Sequence, residues 1–288
     1  MKLAMTLNCW PLTRQQQQQQ LDQLATLPVQ RIFLGETVCE KRDRVALRGL
    51  LELADGLAQQ GKQLVLSTLN LVNGPRELKL VEQVCQQTKM LVEANDYTAV
   101  RLLTEMKQPF WASANLNLYN LDTLSWLHDL GAQGFVPPID ISDKNATRLF
   151  EEAATWLPNL EREIIGFGWP QLSVSARCAT ARIQGRNRDN CDKVCQQHCT
   201  PVADTLEGER LLYINGPQTH GVNAVNRFAE ARHWHNLNTH WLRIIPGPSL
   251  NFDWMTPLCD SDGLVKVAEV ESNLHLEIPT PESNIAIG

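Results

Sequence analysis

Several features are missing from this sequence, and each absence removes a class of function. No run of about 18 apolar residues occurs, so no transmembrane helix is expected. Positive charge is not in excess: 26 Lys and Arg stand against 32 Asp and Glu, for a net charge of −6. A weakly acidic chain is a poor generic binder of nucleic acid or anionic membrane, because phosphate contacts dominate such affinity. No nucleic-acid partner is therefore expected. The opening MKLAMTLNCW has a short apolar run interrupted by Asn8 and Pro11, and no small-residue cleavage site follows. That is not a secretory signal, and a cytoplasmic location is the expectation. No Gly-x-Gly-x-x-Gly follows the first apolar run, which argues against a dinucleotide fold.

What is present is cysteine, eight residues in 288. A chain of this length buries enough core to do without disulfides. In a reducing compartment that many thiols point to metal or redox chemistry.

Short apolar runs alternate with longer helical patterns. The runs at 3–8, 31–36, 63–70, 90–95, 110–117, 134–140, 163–169 and 240–245 read as strands. Between them lie helical stretches with recognisable signals: Thr13 as an N-cap, Gly61 as a stop, Pro75 as a first-turn residue. VNAVNRFAEARHWHN, residues 222–236, reads as the helix before the last strand. Repeating β-α units imply parallel strands with crossover helices, and eight such strands close a barrel. The expected fold is thus an α/β, (β/α)8 TIM-barrel-like single domain over 1–288. It carries a cysteine-bearing insertion at 170–216 after strand 7, and a carboxy-terminal tail at 247–288. A ninth run, 210–216, falls inside the insertion and is expected to be an extra strand outside the barrel. The glutamine run Gln15–Gln20 reads as a solvated helix face.

The stretch RCATARIQGRNRDNCDKVCQQHCT holds Cys178, Cys191, Cys195 and Cys199, and has no apolar rhythm with which to build its own core. Thiolates are soft ligands that suit zinc or an iron–sulfur cluster. Zinc knuckles pair closely spaced ligands, whereas Cys178 stands alone and the close spacings are Cys-x-x-x-Cys, which tilts the reading toward a cluster. The residues leave the fourth ligand open. Cys199 is nearest in sequence. Cys39 follows the second strand as Cys178 follows the seventh, so both fall on the carboxy-terminal face of a barrel. Cys85, inside a helical pattern, reads as a buried thiol, and Cys9 as a packed one. His198 is a lesser ligand candidate. Arg182, Arg186 and Arg188 either offset cluster charge or form a solvated face. Asn8, Glu36, Asn70, Asn95, Asn117 and Asp140, at strand ends, are candidates to line a pocket on the same face.

GETVCEKR with Cys39, SANLNLYNLDTLSWLHDLGAQGFV, FGWPQLSVSARCATAR with Cys178, NCDKVC with Cys191 and Cys195, and YINGPQT together resemble the U32 family, named after peptidases, and within it the ubiquinone-biosynthesis members. The resemblance implies a barrel holding a [4Fe–4S] cluster on Cys39, Cys178, Cys191 and Cys195. It implies a UbiU-type U32 protein as partner in a heterodimer and a UbiT-type lipid-binding accessory protein. A ubiquinone precursor would be hydroxylated without dioxygen under anaerobic conditions. Two alternatives follow from it: a structural or electron-relay subunit with catalysis in the partner, or RNA-base hydroxylation, which the acidic charge disfavours. Cys199 is then a spare thiol. No Ser-His-Asp or Cys-His arrangement that would make a peptidase is visible in the sequence.

Overall fold

The computed structural model describes residues 1–7, 9–197, 200–247, 252–260 and 264–267. The first half of the chain is a strict alternation. β1 (Lys2–Thr6) leads to α1 (Arg14–Gln23), β2 (Arg31–Leu34) to α2 (Leu47–Ala58), and β3 (Gln63–Ser67) to α3 (Pro75–Cys85). β4 (Val92–Ala94) leads to α4 (Tyr97–Glu105), β5 (Phe110–Ala112) to α5 (Leu121–Asp129), and β6 (Ala132–Phe135) to α6 (Asp143–Trp156). β7 (Glu161–Gly168) follows. The chain then leaves the alternation for β8 (Gln171–Val174), a short α7 (Ala179–Ile183), β9 (Val202–Asp204), β10 (Arg210–Asn215), β11 (Gln218–Gly221) and β12 (Val225–Asn226). It returns through α8 (Ala231–Asn236) to β13 (Trp241–Ile244).

Local chemistry sets the helix starts. Thr13 forms a full capping box with Gln16, and Asp96, Asn120 and Ser142 cap α4, α5 and α6 through their side chains. Pro75 opens α3 as its fixed φ allows.

Strands β1 to β7 and β13 are parallel and pair in the order β7-β13-β1-β2-β3-β4-β5-β6, with β6 also paired to β7. That second pairing closes an eight-stranded parallel barrel surrounded by helices, the expected fold class. β10, the strand expected outside the barrel, is central to a separate antiparallel sheet of order β8-β11-β10-β9. The main core lies between strands and helices and is built from Leu, Ile, Val and Phe. A second cluster of Ala4, Phe33, Val65, Trp111 and Trp241 belongs to inward strand positions. Gly134 makes room there: a Cβ at this position would lie 2.1 Å from the Trp111 ring.

Two local expectations fail. Residues 222–236 are α-helical only from Ala231, after a 3-10 turn at Phe228–Glu230. Before that, β12 pairs antiparallel with β7, and Arg227 is drawn inward to the carbonyls of Ile139, Ile141 and Ile165 and the Asp143 carboxylate. Those bonds use donors and backbone that a helix would orient elsewhere. The glutamine run is not wholly solvated either. Gln17 and Gln20 are buried, and Gln17 Nε2 donates to Leu12 O and Asp43 O.

Among the described residues no helix is long and apolar enough to cross a membrane. Much of the stretch assigned to the tail, together with Asn8, His198 and Cys199, lies outside the described residues.

Candidate metal centre and barrel-mouth cavity

The loop after β2 is shaped by one carboxylate. Glu36 Oε1 accepts from the N–H groups of Val38 at 2.8 Å and Cys39 at 2.9 Å, folding the chain back so that Cys39 leaves the barrel axis. The four residues that follow grip the cysteine excursion. Lys41 Nζ donates to the carbonyls of Arg188 at 2.5 Å and Asp189 at 3.0 Å. Glu40 and Glu77 both receive the Arg188 guanidinium, and Asp43 receives Lys193 Nζ at 2.6 Å. Gln196 Nε2 reaches Leu12 O at 2.6 Å. A segment with little apolar content is thus held down by ion pairs and backbone carbonyls.

Within that segment Cys178 is the N-cap of α7, its sulfur accepting from Ala181 N at 3.4 Å. Cys191 follows a tight Asn187–Asn190 turn, in which Asn187 Oδ1 accepts from the N–H groups of Asp189 and Asn190. Asp192 and Lys193, both at positive φ, then reverse the chain so that Cys195 turns back on a short 3-10 turn. The outcome is one small cavity, of about 20 Å³, whose lining includes Cys39, Cys178, Cys191 and Cys195. All four are free thiols. Burial pushes the Cys39 thiol up to about 12 and raises that of Cys178. Both are therefore neutral until a metal displaces the proton.

Arg42 lines the same cavity and is 4% exposed. Its Nη2 donates to Asn215 Oδ1 at 2.7 Å, while Nε and Nη1 are buried without partners. Burial works against its charge, yet Cys195, Glu36 and Cys39 outweigh it and hold the pKa above the ordinary guanidinium value. A buried cation with two unmet donors beside four thiols fits an anionic sulfur-ligated group. Gly216, at φ +68°, completes the wall: a Cβ there would lie 3.0 Å from Arg42 Nη2. Among the described residues no three His, Cys, Asp or Glu side chains are gathered closely enough to hold a single metal ion. The thiols surround a volume rather than a point.

The other cysteines behave differently. Cys85 is fully buried in α3, as expected. Cys9 lines a neighbouring, larger cavity, and burial pushes its thiol up to about 12. Of the basic residues singled out, Arg182 is exposed, Arg186 pairs with Asp192, and Arg188 lines the thiol cavity while its guanidinium pairs with Glu40 and Glu77. Arg42 lines the same cavity, and sequence reasoning did not single it out although it ends the motif GETVCEKR.

The larger cavity, of about 550 Å³, sits at the carboxy-terminal mouth of the barrel. Asn70, Asn95, Asn117 and Asp140 line it as expected; Glu36 does not, being spent on the Cys39 loop. Its floor was not anticipated. Arg243 Nη1 donates to Glu93 Oε1 and Nη2 to Glu163 Oε2 at 2.6 Å, while Ser67 Oγ donates to Glu93 Oε2 and Trp111 Nε1 to Glu163 Oε2, leaving Glu163 Oε1 unpaired. Each of these charges sits inside an otherwise apolar parallel strand, which is the signal that could have found them: such a residue needs a charged partner across the barrel. His220, with burial lowering its pKa to about 4, is neutral: its Nδ1 lies 3.2 Å from Trp169 O and its Nε2 3.3 Å from Asn215 Nδ2, so one ring nitrogen can donate and the other accept. Asn215 joins the two cavities, accepting from Arg42 and donating to Cys9 O at 2.7 Å.

The sequence profile of the family described as peptidase family U32 matches residues 16–239. Similar solved structures include the U32 peptidase Mk0906, at 12% identity and a TM-score of 0.47, covering 86% of this chain and 93% of that one. The spore cortex-lytic enzyme SleL of Bacillus cereus is similar at 9% identity and a TM-score of 0.41, covering 88% of this chain and 72% of the other.

Proposed function

The chain belongs to the U32 peptidase family, and on that premise we propose that it is a UbiV-type subunit with a [4Fe–4S] cluster on Cys39, Cys178, Cys191 and Cys195. It would act in oxygen-independent hydroxylation of a ubiquinone precursor under anaerobic conditions, in a heterodimer with a UbiU-type U32 protein and with a UbiT-type lipid-binding accessory protein. The observation that carries the reading is the convergence of those four thiols, from two distant loops, on one cavity beside the partly unpaired Arg42. Thiols spaced around a volume suit a polynuclear core better than a single zinc ion.

A bound cluster supplies one-electron chemistry. The chain's own residues do the rest. Arg42 offsets the charge of the thiolates. Lys41, Asp43 and Glu40 fix the Cys39 loop against the excursion.

Anaerobic purification followed by metal and sulfide analysis tests the cofactor. About four irons and four sulfides per chain are expected; stoichiometric zinc without iron refutes it. A deletion strain tests the pathway: ubiquinone should vanish in anaerobic culture and persist in aerobic culture, and unchanged anaerobic ubiquinone removes the assignment.

A further inference from the structure

The barrel-mouth cavity carries its own chemical signature. Its charges are already committed. Arg243 is taken up by Glu93 and Glu163, Glu93 also accepts from Ser67 and Asn95, and at the rim Asp140 accepts from the Tyr119 hydroxyl at 2.9 Å. Two carboxylates against one guanidinium line the space, so an anionic ligand would lose its hydration and find no uncommitted cation.

One part of the lining is a row of amides donating in a single direction. Asn70 Nδ2 donates to Gln171 Oε1 at 3.0 Å, Gln171 Nε2 to Asn115 Oδ1 at 3.1 Å, Asn115 Nδ2 to Asn95 Oδ1 at 2.6 Å, and Asn95 Nδ2 to Thr68 O at 3.1 Å. The row spans the ends of β3, β4 and β5 and crosses to β8, so it ties the barrel to the small sheet. Asn70, Gln171 and Asn115 each use one N–H in the row and keep a second, whereas Asn95 gives its other N–H to Glu93. Another part is aromatic: Trp10 lies 4.8 Å from the His220 ring and edge-on to Trp169 at 6.2 Å.

We propose that this cavity binds a neutral aromatic ring with a hydroxyl or carbonyl oxygen on its edge. The ring packs on the Trp10 and Trp169 side, where edge and face contacts favour another ring. The oxygen meets the amide row at Asn115 and Gln171. Neutrality follows from the committed charges of the floor. The inference deepens the function proposed above and rests on it only for the ring's role as substrate; binding itself needs no cluster.

The test is ¹⁹F NMR of the full chain, purified anaerobically, with 3-fluorophenol, 3-fluorobenzoate and 5-fluorouridine as probes. The expected result is broadening and saturable binding of the phenol, with the benzoate at least tenfold weaker and the nucleoside weaker than the phenol. Gln171→Ala and, separately, Asn115→Ala should each weaken phenol binding about tenfold, the loss of roughly one hydrogen bond. Two variants guard against one that fails to fold, and circular dichroism identifies it. Absent phenol binding, tighter benzoate or nucleoside binding, or unchanged binding in both folded variants overturns the proposal. Iron is measured in the same samples. Iron present without ring binding defeats this inference alone; ring binding without iron defeats the cluster reading alone.

Discussion

Arg243 and Arg42 are both almost fully buried, at 3% and 4% exposure, and they belong to opposite kinds of site. At the barrel floor Arg243 sits between two carboxylates, and Glu163 and Glu93 outweigh the cost of burying its charge. Only its Nε lacks a partner. In the cysteine excursion Arg42 has one side-chain acceptor, Asn215, and two idle donors. The floor leaves Arg243 Nε and Glu163 Oε1 unpaired, but its guanidinium is matched by two carboxylates. The cysteine cavity is clamped at its edges and faces a guanidinium with two unpaired donors, which supports the cluster proposed for it.

The strongest way to break this comparison is to remove a thiol. Cys39→Ala should abolish iron retention in anaerobically purified protein, while Cys199→Ala should leave it nearly unchanged; equal iron in both would return the fourth ligand to the local cysteines. Next in size are the arginines themselves. Arg243→Met leaves two buried carboxylates facing each other and should cost about 3–5 kcal/mol in urea unfolding of the cluster-free chain. Arg42→Met removes the bond to Asn215 and the charge that faces Glu36 but also two unmet donors, so its cost should stay below that of Arg243→Met. Equal costs would erase the distinction between the two regions.

The pH dependence of stability sharpens the same contrast. His220 titrates near 4 when folded and near 6.5 when unfolded. Between those values the unfolded chain holds the extra proton, so stability is full above about pH 6.5 and is lost as pH falls toward 4, by up to about 3 kcal/mol. Urea midpoints at pH 7 and pH 4.5 should show that loss, and His220→Gln should flatten it. The smallest effect is at the capping box: Thr13→Ala should lower stability by about 1 kcal/mol, with iron content unchanged.

The barrel was legible because parallel strands covered by helices read as continuous apolar runs, and because Thr13, Gly61 and Pro75 mark helix ends through local geometry alone. Residues 222–236 misled for a tertiary reason. Their apolar spacing is compatible with a helix, but a strand edge on β7 and three barrel carbonyls for Arg227 win over local propensity. The cysteines stood out as residue types. Arg42 did not, since a single Arg among Glu, Lys and Asp reads as solvated surface until its burial is known. The inward charges Glu93, Glu163 and Arg243 were visible as interruptions of apolar strands, yet which of them meet depends on barrel closure and not on any local pattern.

The hairpin joining β10 to β11 serves both cavities at once. Gly216 packs on Arg42, Asn215 spans from Arg42 to Cys9, and Gln218 faces the barrel mouth. A change of chain length there would unseat both walls together. The β9–β10 turn at the far end of the same sheet has no such duty: Thr205 and Glu209 close it on themselves, Gly208 turns it at φ +85°, and Leu206 is fully exposed. Length variation in this sheet is therefore tolerable at that end alone, and a peptide tag or reporter inserted between Leu206 and Glu207 is the place to mark the protein without disturbing what it holds.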